Sequence, residues 1–143
     1  MKDHVALIIK NQENEILFIQ RSFKKKTLPG VWSFPSGTVE KGENIYETVK
    51  REAKEELGIE VEPKETLAAN DLPEFSVRLF FILCEIKNGN PSIKEPNEIK
   101  EINWMRFGDF FDKFSDEDIG HGLIWLRKNP QLWKSSKFGE GKH

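Results

Sequence analysis

Glu52, Glu55 and Glu56 lie close together in a stretch that opens near Gly37 and closes at Gly58. At about 100° of rotation per helical residue, Ile45, Tyr46, Val49, Ala53 and Leu57 fall within an arc of about 120°, the buried stripe of an amphipathic helix. Glu56 lands inside the edge of that stripe, between Ile45 and Val49, and the three carboxylates together span an arc of about 100°. Like charges at i,i+4, as in Glu52 and Glu56, destabilise a helix by roughly 0.2–0.5 kcal/mol, and partial burial adds a larger desolvation cost. The arrangement asks for a cation. Hard oxygen ligands with no Cys or His among them point to Mg²⁺, or Mn²⁺ as a substitute, rather than zinc. The alternative is a solvated glutamate-rich helix in which Glu47, Arg51 and Glu55 neutralise one another at i,i+4.

The spacing separates the two readings. Gly37, five residues, Glu43, seven residues, Arg51-Glu52, two residues, Glu55-Glu56, one residue, Gly58 and the apolar Ile59 resembles the Nudix box at every defined position. The resemblance is strongest over residues 37–59 and extends, as an order of elements, over about residues 4–130. It implies a Nudix hydrolase: a Mg²⁺-dependent enzyme that cleaves a nucleoside diphosphate linked to another moiety. By resemblance, Glu52, Glu55, Glu56 and the Gly37 carbonyl bind the metal, Glu43 acts behind them or through water, and Arg51 orients the glutamates. The general base in the family is either a box glutamate or a carboxylate on a later loop, where this chain has Glu98; the alternative for Glu98 is a solvated loop acid. Arg21, at the end of a strand, stands where relatives reach the substrate's phosphate or base, a task its planar fork suits. The cation-rich segment Arg21–Lys26 also reads as a plain solvated loop. Where the family usually has two glycines this chain has Ser36 and Gly37, and serine tolerates φ > 0 less well than glycine.

The elements that must position these groups follow from periodicity. Val5–Ile9 and Ile16–Ile19 are apolar runs separated by a polar turn, a hairpin entry to a mixed sheet. Val31–Pro35 is a short strand delivering the chain to Ser36-Gly37. Asn44 is the expected N-cap of the acidic helix, with Glu47 completing a capping box, and Gly58 its C-terminal stop. Residues 61–72, bounded by prolines, read as a loop with at most one irregular strand around 66–69. Phe75–Lys87 reads as a strand with Val77, Leu79, Phe81 and Leu83 on one face and Phe80, Ile82 and Cys84 on the other. Apolar residues on both faces require cover on both sides, hence an α/β fold, an α/β/α sandwich around a mixed central sheet. Ser115 and Asp118 open an expected last helix over about 116–128.

Length bounds the rest. The chain has 143 residues and a formal charge of −2, which fits one domain, placed at residues 1–133, with 134–143 expected to fray. No basic field of the kind duplex nucleic acid needs is present, while local cations suit a small anionic nucleotide. The N-terminal apolar run is too short for a signal peptide or a membrane span, so a cytoplasmic location is expected. Cys84, the only cysteine, reads as a buried structural thiol. Phe34, Phe75 and Phe80 are candidates for an aromatic wall against a base, with core packing as the alternative for each. His4, His121 and His143 have no partners at metal spacing and read as incidental. Trp125 and Trp133 are candidate dimer contacts, leaving monomer and homodimer both open.

The expected substrate is a nucleoside triphosphate, possibly oxidised in its base, cleaved to monophosphate and pyrophosphate. Pro73 lies near where ADP-ribose hydrolases of the family carry a proline, which makes ADP-ribose or a nucleotide sugar the second choice. A nucleotide- or RNA-binding module without turnover is the third; such members usually lose box glutamates, whereas all three are present here.

Overall fold

Two strands near the N-terminus are buried on both faces, so each must run inside a sheet, with neighbours at both edges and cover on both sides. In the computed structural model, which describes residues 1–141, β1 (Lys2–Ile9) lies between β4 (Ser36–Thr38) and β6 (Val77–Asn88). Similarly, β2 (Ile16–Arg21) lies between β3 (Trp32–Ser33) and β7 (Ile99–Met105). The expected hairpin between the two strands stops at a single bridge, Lys10 to Ile16, because each uses its edges on other partners. The first sheet is mixed, with β1 and β6 parallel and β4 and β5 (Glu60–Leu72) added antiparallel at its edges. The second is antiparallel throughout.

Alternation along the strands sorts the core into two halves. Val5, Leu7 and Ile9 of β1 and Ile82 and Cys84 of β6 pack with Val49, Ala53 and Leu57 of α1 (Ile45–Leu57). Ala6, Ile8, Phe81 and Leu83 face the other way, against α2 (Phe107–Lys113) and α3 (His121–Arg127). Helices on both sides of the sheets are the expected α/β sandwich. The second half is aromatic: the Phe18 ring stacks at 3.8 Å from Phe110, and Phe107 meets Phe138 edge-on at 5.1 Å.

Four expectations need correction. Residues 60–72 form a long edge strand rather than a loop. Three register shifts against β6 break its period of two, and Pro63 is tolerated because the strand lies at the sheet's edge. The last helix is divided: Ser115 and Asp118 do form a capping box, but on a single turn over Asp116–Asp118. Gly120 is then extended (φ −74°, ψ 166°), donates its N–H to the Trp32 carbonyl, and starts α3 anew. Trp133 is buried and so offers no dimer contact, while Trp125 is partly buried and stacks on Phe81; the exposed large apolar side chains among the described residues are Met1, Phe23, Leu28 and Phe75. The fourth concerns residues 134–141, which pack rather than fray. Phe138 is fully buried, Glu140 accepts the Gly108 N–H, and Lys137 pairs with Glu65. His143 lies outside the described residues.

The packing of Phe138 gives a direct check. Phe138→Ala should lower the unfolding free energy by about 3–5 kcal/mol, the cost of removing a buried phenyl ring, as measured by urea denaturation. A frayed segment would give a change close to zero.

Candidate functional site

The acidic helix is set by its two ends. Asn44 Oδ1 accepts the Glu47 N–H at 2.8 Å while Glu47 returns a bond to the Asn44 N–H at 2.9 Å, and Gly58 closes the helix in the left-handed conformation at φ 67°. With the ends fixed, the apolar stripe docks on β1 and β6 and turns one edge of α1 toward β4. There Gly37 meets Glu52. A Cβ on Gly37 would overlap the Glu52 carboxylate, so only glycine lets that side chain lie against the β4 backbone. Neither Ser36 nor Gly37 takes a positive φ, and Ser36 is therefore accommodated without backbone strain.

Arg51 organises the acids. Its Nε donates to Glu43 Oε2 at 2.7 Å and its Nη2 to Glu43 Oε1 at 3.1 Å and to the Thr38 carbonyl at 3.0 Å. Its Nη1 reaches Glu52 Oε1 at 2.8 Å and Glu55 Oε2 at 3.2 Å. The Arg51 fork, helped by the Glu40 N–H and the Thr48 hydroxyl, pulls the Glu43 carboxyl down to about 2. Both Glu43 oxygens are thus engaged, which fits a part played behind the other acids. Glu56 has no such support. It is only 8% exposed, its Oε2 has no hydrogen-bond partner among the described residues, and burial followed by the charge of Glu52 pushes its carboxyl up to about 9. Burial also raises Glu52, against the pull of Arg51.

These residues fit a divalent cation. The unpartnered oxygen of Glu56, the half-buried carboxylate of Glu52 and the backbone cradle at Gly37 are hard oxygen donors around one excess of negative charge. Among the described residues no three His, Cys, Asp or Glu side chains are already drawn into a metal cluster. The guanidinium of Arg51 accounts for this, since it holds Glu52 and Glu55 to itself.

On the other face of the first sheet lies a cavity of about 600 Å³, lined by His4, Ala6, Phe34, Ser36, Leu79 and His121 among others. Ser36 and Gly37 are consecutive in the edge strand β4, so Ser36 lines the cavity on one face of the sheet while Gly37 meets Glu52 on the other, across a single strand. His4 Nε2 is 3.2 Å from Thr38 Oγ1, and the Thr38 carbonyl in turn holds Arg51, which links the two regions. Burial lowers the His4 pKa, favouring the neutral ring.

The NUDIX domain model matches residues 1–125. This chain belongs to the Nudix family. Nudix hydrolase 8 of Arabidopsis thaliana is 30% identical over 112 residues, which cover 76% of this chain and 30% of that protein. The 8-oxo-dGDP phosphatase NUDT18 of Homo sapiens is 35% identical over 78 residues, 54% of this chain and 24% of that protein. The chain thus spans well under half the length of either relative. Among solved structures, the MutT protein of Methanosarcina mazei Go1 superposes with a TM-score of 0.69 at 22% identity, over 91% of this chain and 93% of that one, a likeness of fold.

The structure brings the Nudix box residues Gly37, Glu43, Arg51, Glu52, Glu55 and Glu56 together. It places the other expected site residues less uniformly. Arg21 lines the cavity, and its guanidinium donates from Nη2 to the Thr27 carbonyl at 2.8 Å and from Nε to the Leu28 carbonyl at 3.2 Å, which ties it to the loop before β3. Phe34 is a core residue, stacked on Phe18, with part of its surface on the cavity. Phe75 is 51% exposed at the cavity rim, its ring 4.8 Å from that of His121. Phe80 is misplaced by the sequence reading: alternation along β6 sends it to the α1 side, away from the cavity that Leu79 lines. Glu98 precedes β7 and pairs with Lys25. His4 and His121 are cavity residues rather than incidental ones, a role that metal spacing had no means of showing. No helix among the described residues is long and apolar enough to cross a membrane.

The position of Glu56 makes stability depend on pH when no metal is bound. Its folded-state pKa of about 9 exceeds the ordinary 4.5, so between these values the folded protein holds a proton that the unfolded chain releases. Stability conferred on that carboxyl is full below the lower value and is lost as pH rises toward the higher one. Chelator-treated protein should show a falling urea midpoint across this window, and Glu56→Gln should flatten the fall. Parallel profiles for the two proteins would contradict the assignment.

Proposed function

We propose that this Nudix domain is a pyrophosphohydrolase acting on a nucleoside diphosphate joined to another group, with a nucleoside triphosphate as substrate and Mg²⁺, or Mn²⁺ in its place, as cofactor. The observation that carries this reading is the buried, unpartnered oxygen of Glu56 beside Glu52 at the Gly37 cradle, next to a cavity large enough for a nucleoside. The human relative NUDT18 is an 8-oxo-dGDP phosphatase, which supports a nucleotide, oxidised forms included, as the substrate class.

Glu52, Glu55, Glu56 and the Gly37 carbonyl would hold the cation, and bound there it supplies charge neutralisation to the phosphoryl oxygens. Everything else falls to the chain. Arg51 keeps the glutamates oriented, with Glu43 fixing the guanidinium from behind. Glu98 takes the proton of the attacking water; the water oxygen bonds to phosphorus, the P–O bond bridging the α- and β-phosphates breaks, and its electron pair leaves on the departing fragment, so that nucleoside monophosphate and pyrophosphate are the two products. Leu79, Phe34 and Phe75 offer apolar surface to the base, while His4 and His121 offer ring nitrogens for hydrogen bonds. The reading places the protein in the cytoplasm with its nucleotide substrates, as a monomer or homodimer.

Incubation with a panel of nucleoside triphosphates, including 8-oxo forms, and with ADP-ribose, nucleotide sugars and dinucleoside polyphosphates, with and without Mg²⁺, tests this. Cleavage of a triphosphate to monophosphate and pyrophosphate only when Mg²⁺ is present is the expected result. No cleavage of any member would defeat the reading, and preference for ADP-ribose would move the substrate to the second choice. Glu56→Gln should lower kcat by roughly 100-fold or more, and Glu98→Gln by roughly 10²–10⁴-fold if it is the base; wild-type kcat in Glu98→Gln would remove it from the mechanism.

A further inference from the structure

The loop between β2 and β3 serves two places at once. Arg21 gathers the Thr27 and Leu28 carbonyls, and this bend sets Thr27 and Leu28 on the cavity wall, with Leu28 held at φ 47°. Nearer its start the same loop grips the approach to β7. The Ser22 N–H donates to the Glu98 carbonyl at 2.8 Å, the Lys25 N–H donates back to Ser22 at 3.2 Å, and the Lys25 ammonium pairs with the Glu98 carboxylate. Ser22 itself is buried, which fixes the backbone from which Lys25 extends.

Glu98 has reason to need this partner. Its side chain is 48% exposed, against 25% for Lys25, and among the described residues the Lys25 ammonium is the side-chain partner that gives it a direction. It also lies by the acidic helix: the Lys94 N–H donates to the Glu56 carbonyl at 3.1 Å and the Glu98 N–H to the Glu95 carbonyl at 2.9 Å, which sets the turn carrying Glu95 and Glu98 against the end of α1. Like charges in one partly desolvated place repel, and an unrestrained carboxylate on a flexible stem turns toward water.

We propose that Lys25 is a positioning residue for hydrolysis, holding the Glu98 carboxylate at the acidic centre against repulsion and tying it to the loop that lines the cavity. Lys25 acts through Glu98, and the inference rests on the hydrolytic reading with Glu98 as base. A pair this exposed contributes little to stability, so its effect belongs in the kinetics.

Steady-state kinetics of Lys25→Met, Lys25→Arg, Glu98→Gln and the Lys25→Met/Glu98→Gln double variant, on the substrate the panel identifies, test this. Lys25→Met should lose roughly 10- to 100-fold in kcat, with KM within about twofold of wild type. Lys25→Arg should recover most of that loss, the thermal midpoint should not move, and Lys25→Met should add nothing in the Glu98→Gln background. Wild-type kcat in Lys25→Met or in Glu98→Gln overturns the proposal. So does a rise in KM alone, which would make Lys25 a substrate contact, or a full further loss in the double variant. If the wild-type protein cleaves nothing, the hydrolytic reading fails and this falls with it; if it is active and Lys25→Met matches it, only the positioning role is lost.

Discussion

One guanidinium stands among four carboxylates it can reach and one it does not. Arg51 bonds Glu43 with its fork, touches Glu52 and Glu55, and lies within ion-pair distance of Glu40 at 3.3 Å. Glu56 lies on the buried side of the helix, beyond that reach. A carboxyl carried into the edge of a core without a partner is among the costlier choices a helix can make. Around it stand the capped ends that hold the helix in register and the bare backbone at Gly37, against which the neighbouring Glu52 lies.

Much of this was legible because it is local in sequence. The Nudix box lies within residues 37–59, and the glycine, caps, apolar stripe and acids all sit at fixed offsets along one loop and helix. The stripe gives the direction in which α1 faces, and its edge singles out Glu56, whose buried Oε2 has no hydrogen-bond partner among the described residues. The two-sided pattern of β6 was readable for the same reason, and with it the layered fold.

The cavity was not legible, because its wall is assembled from segments far apart in the chain: β1, the β2–β3 loop, β4, β6 and the start of α3. Nothing in the spacing of His4 and His121 shows that they share a surface. As a sequence, Phe80 reads equally as aromatic wall or as core, and one step along β6 exchanges the cavity face for the helix face. α2 escaped notice because seven residues are too few to display a helical period clearly, although Phe107 and Phe110 stand three apart and are both buried. The C-terminal segment misled by composition: Ser, Gly and Lys suggest fraying, while one aromatic residue, Phe138, anchors it.

On the hydrolytic reading, burial keeps a proton on the Glu56 carboxyl of the metal-free protein, and a bound cation takes its place. Calorimetric titration of Mg²⁺ or Mn²⁺ into the substrate-free protein, repeated at neutral pH in buffers of different ionisation enthalpy, counts the protons released. The account predicts about one proton released per ion bound by the wild-type protein, and for Glu56→Gln much weaker binding with no such release. Metal binding without proton release, or equal affinity in the variant, would contradict it.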